Sequence, residues 1–206
     1  MSTGTWTFEE TARAIKSGGI AIYPTETFMA LGCRALDEEA VRRVYKAKQR
    51  SLCLPLPLIA ADMAQVCAVA QVPAEAQPLI ARFWPGPLTL LLPVLPHVPA
   101  AVSASTDCVA VRIPGHAGAR DLADAVGEAL VASSANISGL PAAARASSVD
   151  DRLRARVDGI WNGQPEPTGK LPSTLVRLVD GGTIQIVRQG AVSQQLLQEA
   201  GFTLLA

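Results

Sequence analysis

Lys48 and Arg50 close a charged, helix-like segment, Arg112 interrupts the apolar run "VAVRI" (109–113), and Arg188 interrupts "IQIVRQG" (184–190). Thr25 and Thr27 follow the run "IAIY", Ser134 and Asn136 follow the apolar start of "LVASSANISGLP" (130–141), and Ser173 opens "STLVRL". Cations and hydroxyls gathered at the ends of apolar runs can position and neutralise a polyanionic small molecule, the main demand of phosphoryl and nucleotidyl transfer. Each of these residues also has a plain structural reading. Cations suit a helix C-terminus, so Lys48 and Arg50 read equally as a solvated helix end. Ser, Asn and Gly favour turns, so "SSANISG" reads as a turn or as a polar shelf for a ligand. Arg112, set among Val109, Val111 and Ile113, either points outward or meets an anion.

The familiar catalytic motifs are missing. No G-x-G-x-x-G follows a strand pattern, which leaves a dinucleotide fold without support. "GQPEPTGKL" (163–171) imitates a phosphate-binding loop, but it has one residue too many between its glycines and Leu171 where a magnesium-binding hydroxyl belongs. The two histidines, His97 and His116, stand too far from other chemistry to support a triad.

The elements that must carry these residues are short and mixed. Thr7 and Glu10 form a capping-box pattern, and Gly18-Gly19 ends the helix that follows. A strand covers 20–23, ended by Pro24, and Asp37 caps a helix with Val41, Val44 and Tyr45 on one face that frays near Lys48. Strands are expected at 54–60, 88–94 and 109–113, helices at 74–83, 117–130 and 193–200, and a pair of strands around the "DGG" turn after "STLVRL". Strands and helices alternate without a regular βαβ beat, so a mixed α+β architecture fits better than a doubly wound sheet. No linker divides the chain, and 1–206 reads as a single domain.

Composition sets the outer bounds. With 206 residues, 49% hydrophobic and 17% charged, the chain can bury a substantial core. A net charge of +0 argues against a general nucleic-acid coat. Cys33, Cys53, Cys67 and Cys108 form no CxxC pair and read as free, mostly buried thiols of a reducing cytoplasm. The first residues, "MSTGTWTFEETARAIKSGG", carry acids and no apolar core, unlike a signal peptide, and no apolar run is long enough to span a bilayer. A cytoplasmic protein without membrane contact is the expectation.

Taken in order, the motifs are recognisable. "IAIYPTETFMALG" is similar to the signature P-T-E-T-x-Y-G-L-G, and "KQR" (48–50) matches K-x-R. "WPGPLT", "VAVRIPGH", "SSANISG", "STLV" and "VRQGA" follow at approximately the same spacing. The chain resembles the YrdC-like family of threonylcarbamoyl-AMP synthases over about residues 10–192, in the short single-domain form. The resemblance implies a twisted mixed sheet flanked by helices, with a large concave cleft in which ATP, L-threonine and bicarbonate meet. It also implies that Lys48, Arg50, Ser134, Asn136 and Arg188 bind ATP, and that Thr25, Arg112 and Ser173 bind threonine. Mg²⁺ would arrive with ATP, with no metal fixed by protein ligands alone. The implied partners are tRNA or double-stranded RNA and a downstream threonylcarbamoyl-transferase complex.

The sequence also departs from the family pattern. "FMA" (28–30) replaces Val-Tyr-Gly, Leu54 stands where a lysine is common, Cys108 replaces a hydroxyl residue, and Ala142 replaces a serine that often meets nucleotide. Two rival readings therefore stand beside the synthase: a non-catalytic double-stranded RNA-binding module of the same fold, and a divergent carbamoyl or adenylyl transferase.

Overall fold

The computed structural model describes residues 5–179 and 182–205. The chain begins with β1 (Thr5–Trp6), α1 (Phe8–Lys16), β2 (Ala21–Pro24), β3 (Met29–Gly32), α2 (Glu38–Lys48), β4 (Leu58–Ile59) and α3 (Met63–Cys67). Next come α4 (Gln77–Phe83), β5 (Leu88–Pro93), α5 (Ala100–Ser103), β6 (Cys108–Arg112), α6 (Ala117–Val126), β7 (Leu130–Val131) and β8 (Ser133–Ser134). The last elements are α7 (Asp151–Arg154), β9 (Gly159–Trp161), β10 (Thr174–Leu178), β11 (Thr183–Arg188), α8 (Gln194–Glu199) and β12 (Thr203–Leu204).

Local sequence explains most of these boundaries. The Thr7 side chain accepts from Glu10 N while Glu10 reaches back to Thr7 N, which completes the capping box of α1. Asp37 caps α2 through Ala40 N, and the helix ends in left-handed Gln49. The expected strand at 54–60 contracts to Leu58–Ile59, because Pro55 and Pro57 offer no donors to a ladder. The expected helix at 117–130 stops at Val126, where Gly127 takes a positive φ of 90° that suits glycine. The expected turn between β10 and β11 includes Asp180 and Gly181, which lie outside the described residues.

The strands divide between two mixed sheets. The smaller runs β1-β9-β2-β3-β8 and the larger β12-β11-β10-β5-β6-β4-β7. This agrees with the α+β expectation, although strands β3 and β9 and helix α3 carried no clear sequence signal. Val41, Val44 and Tyr45 of α2 join the main core with Leu58, Leu88, Leu90 and Val111. A second core packs Ala12 and Ile15 of α1 and Leu122 and Ala123 of α6 against Ala21 and Tyr23 of the smaller sheet.

One short segment crosses between the sheets. Leu130 and Val131 pair with β4 in the larger sheet, and Ser133 and Ser134 then pair with β3 in the smaller one. Val131 N donates to Cys33 O, Ala132 N to Pro57 O, and the buried Tyr23 hydroxyl to Val131 O at 2.6 Å. The crossing requires close backbone approach at Gly32, where a Cβ would lie 1.7 Å from Val131 O and 2.8 Å from the Tyr23 hydroxyl. No side chain fits there. The apolar half of "LVASSANISGLP" is thus held by both sheets, and its polar half emerges where they meet.

The free thiols only partly follow expectation: Cys33 is buried and Cys108 half-buried, but Cys53 and Cys67 are exposed. Nothing in their sequence neighbourhood distinguishes the exposed pair. No helix among the described residues is long and apolar enough to cross a membrane.

Candidate active site

A cavity of about 340 Å³ opens where the two sheets meet. It is lined by Thr25, Arg50, Arg112, Ser134, Ser173 and Arg188 among the expected site residues, and its wall includes Phe28, Met29, Ala30, Ala132 and Ala142. The volume falls within the usual range for small-molecule pockets. Four of the polar lining residues sit at element ends: Thr25 after β2, Arg112 and Arg188 at the ends of β6 and β11, and Ser173 immediately before β10.

Ser173 is the meeting point. Its Oγ accepts from Thr89 Oγ1 at 2.8 Å, Arg112 Nη1 at 3.3 Å and Arg188 Nη2 at 3.1 Å. Arg188 also reaches Ser173 O through Nε and Nη2, at 3.3 and 2.9 Å. Burial, followed by the neighbouring Arg112 charge, draws the Arg188 pKa down. Arg112 is 5% exposed. The structure thus answers the two-way sequence reading of that strand: the side chain points inward. Thr25, also on the lining, donates from Oγ1 to Phe28 O at 2.8 Å and lies 3.1 Å from Thr27 Oγ1, which fixes the β2–β3 turn.

Lys48 corrects the helix-end reading. It is 1% exposed, not solvated, and it does not line the cavity. Its ammonium donates to Ser134 O, to Asn136 O at 2.8 Å and to Asn136 Oδ1 at 3.1 Å. Burial, reinforced by Arg50, pushes its pKa down to about 7. Arg50 lies beyond left-handed Gln49 and does reach the cavity, steadied by bonds from Nε to Leu54 O and from Nη2 to Pro55 O. Asn136 is also turned into its own loop. Its Oδ1 accepts from Ser134 Oγ at 2.6 Å, and its Nδ2 donates to Ile137 O at 2.9 Å and Leu140 O at 2.6 Å. The loop that carries Ser134 is therefore held by Lys48 from behind and by Asn136 from within.

Sequence reasoning passed over two contributors. Thr89 reads as one more strand residue in "LTLLL", yet it is 1% exposed and donates to Ser173. Glu26, inside "PTET", places Oε1 3.2 Å from Arg112 Nε. Among the departures from the family pattern, Phe28, Met29, Ala30 and Ala142 face the cavity, whereas Cys108 and the half-exposed Leu54 do not. The donors that line the cavity are hydroxyls and guanidiniums, and no carboxylate is among the described lining residues. No group of His, Cys, Asp or Glu suited to holding a metal occurs among the described residues.

Known proteins are similar to this chain in sequence and in fold. The family model for Sua5, YciO and YrdC proteins, described as "Telomere recombination", matches residues 13–190. The threonylcarbamoyl-AMP synthase of Idiomarina loihiensis is 37% identical over 188 residues, 90% of this chain and 98% of that protein. The synthase of Pyrococcus abyssi is 35% identical over 195 residues, 94% of this chain but 57% of that protein. The chain likewise spans 57% of the Bacillus subtilis synthase, so it covers little more than half of these longer relatives. The crystal structure of P. abyssi Sua5 complexed with L-threonine superposes with a TM-score of 0.89 at 34% identity, covering 96% of this chain and 58% of that one. The twisted mixed sheets, the cleft between them and the match along most of the sequence carry one conclusion: the chain belongs to the Sua5/YciO/YrdC family.

Proposed function

We propose that this protein is an L-threonylcarbamoyladenylate synthase, a nucleotidyltransferase acting early in threonylcarbamoyl-adenosine formation on tRNA. The observation that carries the reading is the convergence of Arg112 and Arg188, from two different strands, on one serine at the wall of a cavity that Arg50 and Ser134 also line. The names of the relatives point the same way. In the first step the threonine amine and bicarbonate form a carbamate and release water. A carbamate oxygen then attacks the α-phosphorus of ATP, the bond to the bridging β-phosphate oxygen breaks, and pyrophosphate leaves.

The residues divide this work by position. Arg112 and Ser173 offer donors to the amino-acid carboxylate, a planar pairing natural to guanidinium, with Thr25 on the same lining. Arg50 and Arg188 place positive charge at the cavity, where a polyphosphate gains negative charge on its leaving group. Ser134 presents its edge to the nucleotide. Lys48 and Asn136 hold Ser134 in place, and Lys48 would contact a phosphate only by releasing the shelf carbonyls. Mg²⁺, carried in on ATP, would neutralise part of the polyphosphate charge. The cytoplasm, where tRNA is modified, is the compartment this reading requires, and tRNA and a threonylcarbamoyl-transferase complex are the partners it requires downstream.

The test is pyrophosphate release by purified protein. Release from Mg-ATP that depends on both threonine and bicarbonate is expected. Release that ignores threonine, or none alongside RNA binding, would replace this reading with one of its rivals.

A further inference from the structure

Glu26 is half-buried beside Arg112, with its carboxylate turned away from solvent. Its side chain is 19% exposed, yet both carboxylate oxygens are sealed from solvent and make no hydrogen bond. Arg112 Nε, 3.2 Å away, is also buried and outside hydrogen-bond geometry. A buried carboxylate with unmet acceptors is costly, and in native proteins such groups cluster where function requires them. The backbone around Glu26 is firmly fixed, since its carbonyl accepts from Thr168 N at 3.2 Å and Thr168 Oγ1 at 3.1 Å. The side chain is therefore presented to Arg112 by a rigid loop.

Electrostatics supplies the reason. Arg112 and Arg188 both donate to Ser173 Oγ, so two guanidiniums share one small volume. No carboxylate lines the cavity among the described residues, and Glu26 stands against Arg112 of this pair. Glu26 offsets the charge of Arg112, which keeps the amino-acid side of the pair suited to a monocarboxylate and leaves the charge of Arg188 for the polyphosphate. Without Glu26 the same spot would carry two charges and would suit phosphate.

We propose that Glu26 is the positioning and specificity residue of the amino-acid subsite: it orients the Arg112 guanidinium and keeps that subsite selective for a carboxylate over a phosphate. This rests on the synthase reading above. The carboxylate does not line the cavity, so it acts through Arg112 and not on the substrate.

The experiment measures L-threonine and ATP binding by calorimetry in wild type, Glu26→Gln and Glu26→Asp, with inorganic phosphate as competitor and melting curves beside each titration. In Glu26→Gln, threonine affinity is expected to fall about tenfold, the size of one lost charge-assisted contact, while ATP affinity changes less than about twofold. Phosphate should also displace threonine at lower concentration than in wild type. Glu26→Asp restores the charge but not the reach, so its threonine affinity should stay low while phosphate competition returns to the wild-type level. Should Glu26→Gln not fold, Glu26→Asp alone carries the test. Threonine affinity at the wild-type level in the folded variants would overturn the proposal, as would equal losses for both ligands with a lower melting temperature. If wild type bound no threonine and made no threonine-dependent pyrophosphate, the synthase reading itself would fail and this inference with it.

Discussion

Lys48 and Asn136 lie 88 residues apart in sequence, yet the Lys48 ammonium bonds both the main-chain oxygen of Asn136, at 2.8 Å, and its side-chain Oδ1, at 3.1 Å. The return contact, Ser138 N to Lys48 O at 2.8 Å, closes the loop onto the end of α2. Two of the family's most recognisable motifs, K-x-R and S-x-N, are thus one physical unit. The lysine of the first motif sets the backbone of the second, which leaves Arg50 and Ser134 facing the cavity.

Replacing Lys48 with Met should therefore lower stability. Met fills similar volume but leaves the Ser134 and Asn136 carbonyls without their donor, a loss of about 1–3 kcal/mol. Urea or thermal unfolding of the ligand-free protein checks this. An unchanged midpoint would show that water replaces the ammonium and that the shelf stands without it.

The same lysine gives the stability a pH signature. Its folded pKa of about 7 lies below the ordinary 10.5. Between these values the unfolded chain holds a proton that the folded chain has released, so stability rises as pH climbs through 7, with a slope of at most about 1.4 kcal/mol per pH unit. Burial pushes the Cys33 thiol up, so above about pH 8.5 the unfolded thiol loses its proton first and opposes the rise. The gain should be visible from pH 7 to about 8.5 and absent in Lys48→Met. A flat wild-type profile over that window would mean that the buried ammonium keeps its proton throughout.

Much of this site was legible in the sequence, but not all of it. An arginine between Val109, Val111 and Ile113 poses a question that only an inward anion site or an outward turn can answer, and burial of Arg112 settles it. Lys48 misled because its acceptors lie on a distant loop, while the local pattern, a cation at a helix end, has an adequate explanation in the helix dipole. Strand β3 was hidden because "MALG" is short and ends in glycine, a residue retained there for the close pass of Val131 and not for strand propensity. The change of character after Ala132 reads as a turn or a polar shelf, and nothing local says that the segment passes there from one sheet to the other. Thr89 and Glu26 escaped for a related reason: their roles exist only through Ser173 and Arg112, which are contributed by other strands.

Arg112→Lys should separate the two substrates. The guanidinium faces Glu26 with Nε and Ser173 with Nη1 at once, which a single ammonium cannot reproduce. Threonine affinity should fall about tenfold or more, with ATP affinity much less affected. Calorimetric titration with each ligand measures the difference. Equal losses for both would assign Arg112 to the phosphates or to the fold.

Asn136→Ala asks whether "SSANISG" is more than a turn. The substitution removes the acceptor for Ser134 Oγ and Lys48 Nζ, together with the donors to Ile137 O and Leu140 O. Stability should fall by about 1–3 kcal/mol on that account alone. If the loop also presents Ser134 to the nucleotide, a second effect must appear: the rise in melting temperature that Mg-ATP gives wild type should shrink in the variant, because ligand stabilisation follows affinity for the folded state. Pyrophosphate release should fall with it, and Ser134→Ala should reproduce the ligand effects with a smaller stability loss, since the Lys48 contacts to the two main-chain carbonyls survive. Melting curves of both variants, with and without Mg-ATP, separate the two contributions. A destabilised Asn136→Ala that keeps the full Mg-ATP shift and full turnover would reduce the segment to a turn, held by Lys48 for the sake of the fold and without a part in nucleotide binding.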